Sequence, residues 1–134
     1  MKSKSLLTLL LVLALILVFS VPACWAKEKG YCYIVGYSLR DQTAYITPVI
    51  VANVSGDVYN DEEFVADVEL ILKMESQYQR YLEKAGRFSD DTTVNARVAY
   101  RTKAIADKKR AEEKSDFSGK GFSVETMAKF KFKQ

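Results

Sequence analysis

The chain has 134 residues, with 20 Lys and Arg against 17 Asp and Glu and no histidine. Setting aside residues 1–26, which hold Lys2 and Lys4, leaves 108 residues with 18 basic and 17 acidic side chains, a net charge of +1. A near-neutral body of that length fits one small domain and argues against a nucleic-acid binder that works by counterion release; the lack of histidine removes the commonest general base and the commonest metal ligand.

The first element is an export segment. Lys2 and Lys4 precede a charge-free stretch from Ser5 to Ala26, apolar from Leu6 to Val21 except for Thr8 and Ser20, and Pro22 breaks it before small residues. That pattern predicts a cleavable signal peptide over residues 1–26, cut after Ala26 with Cys24 and Ala26 at the two small-residue positions, and a domain over residues 27–134. Two alternatives compete with it. Val21-Pro22-Ala23-Cys24 resembles a bacterial lipobox, which would make Cys24 a lipidated N-terminus, and an uncleaved apolar run of this length is long enough to anchor the chain in a membrane. The localisation expected is periplasmic or secreted, with membrane contact only through that N-terminus. After cleavage at Ala26 only Cys32 remains, and a lone Cys on an apolar strand without a histidine to activate it reads as a small buried hydrophobe. A cut before Cys24 would leave a short-loop Cys24–Cys32 disulfide possible.

Tyr31–Tyr37 and Thr43–Val51 are rich in Tyr, Ile, Val and Thr, and the polar stretch between them has hairpin-loop length. They predict an antiparallel hairpin, with Pro48 marking an edge or a bulge in the second strand and the first strand nearer the sheet centre. Asn53-Val54-Ser55 in the following loop has the form of a glycosylation sequon. Asn60 with Glu63 has the spacing of a capping box, so a helix is expected from about Asp61 to Ala85, its stripe carried by Phe64, Val68, Ile71, Tyr78 and Leu82 and its stop by Gly86. A second helix is expected after Thr93, to about Lys114, capped by Ser89, Asp90, Asp91, Thr92 or Thr93, with a thin stripe of Val94, Val98 and Ile105 backed by alanines. In the tail, Phe122, Val124, Thr126, Ala128, Phe130 and Phe132 alternate with polar residues and predict a strand with one buried face.

The order strand, strand, helix, helix, strand predicts an α+β fold in two layers: a three-stranded antiparallel sheet (β-β-α-α-β, order 2-1-3) covered on one face by the helix pair.

Few constellations carry chemistry. No Gly-x-Ser-x-Gly, phosphate-loop or dinucleotide-binding glycine pattern is present, and no motif singles out a protein family. The acidic groups at Asp57, Asp61, Glu62, Glu63 and at Asp90, Asp91 lack calcium-loop spacing and suit helix N-termini instead, so no metal and no cofactor is expected. Lys129, Lys131 and Lys133 fall on one face of the expected last strand; they would suit an anionic polymer or lipid head groups, or simply keep a strand edge soluble. Tyrosine is the one excess. Tyr31, Tyr33 and Tyr37 share a face of the first strand, Tyr45 lies on the second, and if Cys32, Ile34, Ile46 and Ile50 pack on the helices these tyrosines occupy the uncovered face. A large rigid ring with a hydroxyl suits a contact surface, so Tyr31, Tyr33, Tyr37 and Tyr45 are the candidate binding residues. The function expected is a non-catalytic exported binding or accessory domain that meets a protein or glycan through this aromatic face. The alternatives are a small enzyme or an enzyme inhibitor acting through carboxylates and arginines, and a lipoprotein anchored through Cys24.

Overall fold

A computed structural model describes residues 27–134 and Thr8; the rest of the segment expected to be a signal peptide, with Cys24 in it, lies outside the described residues. The elements run β1 (Glu28–Ser38), β2 (Thr43–Ile46), β3 (Ile50–Val54), α1 (Val68–Lys84), β4 (Thr93–Tyr100), α2 (Lys103–Gly119) and β5 (Ser123–Thr126). The fold is α+β, as the element types predict, but the sheet has five strands and is mixed.

β1 is the central strand. The expected hairpin forms, with Val35 opposite Ile46 in β2 and Cys32 opposite Ile50 in β3. Its second strand splits at Pro48, which has no N–H to give to a ladder. Thr47 bridges the break: its N–H donates to the Ile34 carbonyl at 3.0 Å, and its Oγ1 accepts from the Ile34 N–H at 2.9 Å. On the other side of β1 lies β4, antiparallel, with Tyr33 opposite Arg97 and Val35 opposite Asn95. The expected 2-1-3 order is therefore corrected. β4 takes the place given to the C-terminal strand, and that strand, β5, pairs parallel with β2.

Residues 93–100 correct the second helix. Val94, Ala96 and Val98 alternate with Asn95 and Arg97, and that period-2 pattern wins over the helical spacing of Val94 and Val98 once β1 offers a free edge. The helix begins eight residues beyond Asn95, at Lys103, where the Thr102 hydroxyl caps it by accepting from the Ile105 N–H at 3.2 Å. The first helix also starts later than expected. Asn60 does make cap-like bonds, its Oδ1 accepting from the N–H groups of Glu62 and Glu63 at 2.8 Å. The chain then stays extended, with Glu63 bridged to Tyr100 and Phe64 to Val58, and the helix waits for Asp67, which accepts from the Leu70 N–H.

The two helices cover opposite faces of the sheet, so the expectation of a single helical layer is overturned. α1 presents Leu70, Met74, Tyr78 and Leu82 to Cys32, Ile34, Ala52 and Ala99. α2 presents Ala106, with Ile105 and Phe117 beside it, to Tyr33, Val35, Ile46 and Tyr100. Val68, expected in the core, is exposed because the buried stripe of α1 runs strictly at every fourth residue from Leu70. After β5 the chain turns and leaves the sheet, so Val124 serves the α2 side while Met127, Phe130 and Phe132 pack on the α1 side. The Phe130 ring meets Tyr78 and Tyr81 edge-on at 5.0 and 5.3 Å.

Candidate functional site: the outer edge of β4

The sheet register decides where each candidate residue lies. Tyr31, Tyr33 and Tyr37 do share a face of β1, but α2 covers it. Tyr33 is only 2% exposed and stacks on Tyr100 at 6.1 Å, and Tyr37 leans on Phe117 at 5.5 Å. Tyr45 sits opposite Gly36 on the α1 face, where its carbonyl accepts from the Tyr78 hydroxyl at 2.8 Å. Ile46, expected on the same side as Ile34, pairs with Val35 and joins the α2 side. The four tyrosines thus do not converge on one surface. Lys129, Lys131 and Lys133 are all exposed on the tail beyond β5, and the Gln77 side chain holds the backbone of Lys133 through two hydrogen bonds.

Beside Tyr33, under α2, lies a polar cluster that sequence spacing did not reveal. The Glu113 carboxylate accepts from Arg97 Nε at 2.8 Å and from the Tyr33 hydroxyl at 3.5 Å. Burial pushes the Tyr33 phenol far up from its ordinary range, with the Glu113 charge acting in the same direction. Arg110 Nε donates to the Thr47 carbonyl at 2.7 Å, which ties α2 to the break at Pro48. Each charge here already has a partner, and the cluster fixes α2 on the sheet. Among the described residues no group of three or more His, Cys, Asp or Glu could hold a metal ion.

The sheet's long outer strands are finished differently. At β3 the Gln134 amide acts as a short partner strand, its Oε1 accepting from the Asn53 N–H at 2.8 Å and its Nε2 donating to the Asn53 carbonyl at 2.7 Å. Within the sheet β4 pairs with β1, and the Tyr100 end of its other edge is covered by Glu62–Phe64, the Phe64 N–H donating to the Ala99 carbonyl at 2.9 Å and the Arg101 N–H to the Glu62 carbonyl at 2.8 Å; the Val94 end of that edge faces outward. There the Ala96 N–H donates to Glu75 Oε1 at 3.2 Å, and strand alternation turns the Val94 N–H the same way.

Large apolar side chains gather along this edge. Tyr59 is 73% exposed, Val68 67% and Leu72 61%, and Val58 and Val65 are exposed as well. Two clefts open beside the strand. One, of about 420 Å³, lies between α1 and the Val94 end and is walled by Leu72, Glu75, Ser76, Gln79, Arg80 and Glu83. The other, of about 350 Å³, lies at the Val98 end and is walled by Tyr59, Glu63, Phe64, Val65 and Ala66. The sequence signal for this surface was the width of the α1 stripe: Val68 and Leu72 are apolar yet fall off the line of Leu70, Met74, Tyr78 and Leu82.

Comparison of the chain with protein families, with curated proteins and with solved structures finds no match. Among the described residues no helix is long and apolar enough to cross a membrane.

Proposed function

We propose that this is an exported, non-catalytic binding or accessory domain, periplasmic or secreted, that meets a protein partner through the outer edge of β4. The observation that supports this reading is the gathering of exposed Tyr59, Val65, Val68 and Leu72 beside the open Val94–Ala96 stretch of the β4 edge. Backbone groups turned outward beside large apolar side chains suit a polypeptide, which supplies matching N–H and C=O groups along with apolar contacts. This surface replaces the aromatic face of β1 as the contact region, because α2 lies over Tyr33.

A photo-crosslinking residue placed at Tyr59 in the exporting cell tests the reading, with the exposed Lys120 at the far end of α2 as control. A discrete protein adduct at Tyr59 and none at Lys120 is expected; equal labelling at both, or no adduct at either, overturns it. Mass spectrometry of the exported chain tests the export half. A mature N-terminus at Lys27 is expected, a diacylglyceryl mass on Cys24 marks the lipoprotein instead, and an intact Met1 in the membrane fraction overturns cleavage.

A further inference from the structure

The C-terminal tail lies along one side of α1. The Phe130 ring meets Tyr81 at 5.3 Å, and a turn closer to the start of α1 the Gln77 side chain donates to the Lys133 carbonyl at 2.7 Å and accepts from the Lys133 N–H at 3.0 Å. Phe130 and Phe132 pack inward, Lys131 and Lys133 are exposed between and beyond them, and Lys129 is exposed in the turn before. α1 adds to this face. Lys73 and Lys84 stand four residues before and seven after Gln77, on the same stripe of the helix, and both are exposed. Lys27 extends the face, lining one cleft with Lys73 and Gln134.

The ion pairs among the described residues involve none of these six lysines. Few acids oppose them. Asp67 caps the Leu70 N–H, Glu125 is paired with Arg87 at 3.6 Å, and Glu75 and Glu83 line the cleft on the β4 side of α1, which leaves Glu69 beside Lys27 and Lys73. Residues 27–134 carry a net charge of only +1, so the cations are concentrated on one face rather than in general excess. Keeping a strand edge soluble does not account for the tail lysines, because they lie past the end of β5.

Two features select the partner. Lysine ammonium groups are point charges without the fork that grips a single phosphate, and Lys73 and Lys84 alone lie about 16 Å apart along α1, so the array suits an extended anionic surface. The apolar run Leu6–Val21 joins the domain at this same face: only residues 22–26 separate Val21 from Lys27, a reach of at most about 22 Å. A bilayer that holds this run therefore has the lysine face close to its head groups. We propose that the face formed by α1 and the C-terminal tail docks on an anionic membrane surface, with its lysines among the lipid phosphates. This goes beyond the protein-binding reading and uses the opposite side of α1, so one helix separates the membrane side from the partner side. Each lysine close to such a surface strengthens attachment by about fivefold and acts only within a Debye length, which makes the docking reversible and sensitive to salt.

Flotation of the exported protein with lipid vesicles tests this, using phosphatidylcholine with and without about one-third phosphatidylglycerol. At low salt the anionic vesicles are expected to bind at least about a hundredfold more tightly, and about 0.5 M salt to abolish the difference. Lys129→Gln, Lys131→Gln and Lys133→Gln together are expected to weaken that binding by at least about twentyfold, whereas the charge-matched set Lys103→Gln, Lys108→Gln and Lys120→Gln on α2 changes it by less than about threefold. Lys73→Gln with Lys84→Gln asks the same question without touching the tail and is expected to cost about tenfold. Equal binding to the two kinds of vesicle, or equal loss in the two charge-matched sets, overturns the proposal. Tighter binding to dextran sulfate than to anionic vesicles assigns the face to a polyanion and also overturns it.

Discussion

Leu82 packs so closely on Gly36 that a Cβ added to Gly36 would lie 2.7 Å from Leu82 Cδ1. Gly36 is the place where α1 comes down onto the central strand, and a larger residue would lift the helix that overhangs the β4 edge. Gly36→Ala is expected to destabilise the protein by about 1–3 kcal/mol through overpacking. Denaturant unfolding measures this, and an unchanged midpoint would show that Leu82 can move aside at no cost.

Asp91 fastens the loop before β4 to the hairpin tip. Its carboxylate accepts from Ser89 Oγ at 2.8 Å, from Ser38 Oγ at 2.9 Å and from the Arg40 N–H at 3.1 Å. The Ser89 hydrogen bond first, and then the Arg40 N–H, hold its pKa down at about 2. A carboxyl whose folded value lies below its unfolded value of about 4 stabilises the fold at neutral pH, and that contribution disappears as pH falls through about 2. Asp91→Asn is therefore expected to remove part of the acid sensitivity between about pH 4 and pH 2. Thermal melts across that range, compared with the parent, check it.

Cys32 lies fully buried in the α1-side core, and burial pushes its thiol up to about 12. At pH 8 the folded domain prepared from Lys27 onward, in which Cys32 is the one cysteine, is expected not to react with an aromatic disulfide reagent, and to release one equivalent of thiolate once unfolded in denaturant. Prompt reaction in the native state would place Cys32 nearer the surface than the packing does.

The two cap-like residues ahead of α1 should behave differently. Asp67→Ala removes the bond to the Leu70 N–H and is expected to cost about 1 kcal/mol, whereas Asn60→Ala loosens the Asn60–Glu63 turn and leaves helix content unchanged. Circular dichroism with denaturant unfolding separates the two. Loss of helix in the Asn60 variant would restore the earlier helix start.

Local chemistry made the hairpin and the long helix legible, because β-branched and aromatic runs, a proline and a four-residue apolar repeat each act over short distances. Long-range pairing was not legible. Residues 93–100 satisfy both a strand and a helix pattern, and only the vacant side of β1 selects the strand. The alanines that suggested a helix are what let that segment lie flat between β1 and α1. The same choice decided the tyrosines: with residues 93–100 in the sheet, α2 is free to cross to the other face and bury Tyr33. Parity in β1 was readable, but which face stays open depended on where the second helix goes. The edge of β4 could not be seen until β4 itself existed.

Lys27 and Gln134 line the same cleft, alongside Asn53 and Val54. The two ends of the folded body therefore lie side by side, and a pull applied between them would load the molecule as a zipper. The Gln134 bonds to Asn53 would part first, then the Gln77 hold on Lys133, and only afterwards the pairs of β1 with β3 from Glu28 inward. Rupturing bonds in succession takes less force than shearing them together, so this domain, stretched from its ends, would yield softly even where its core resists heat.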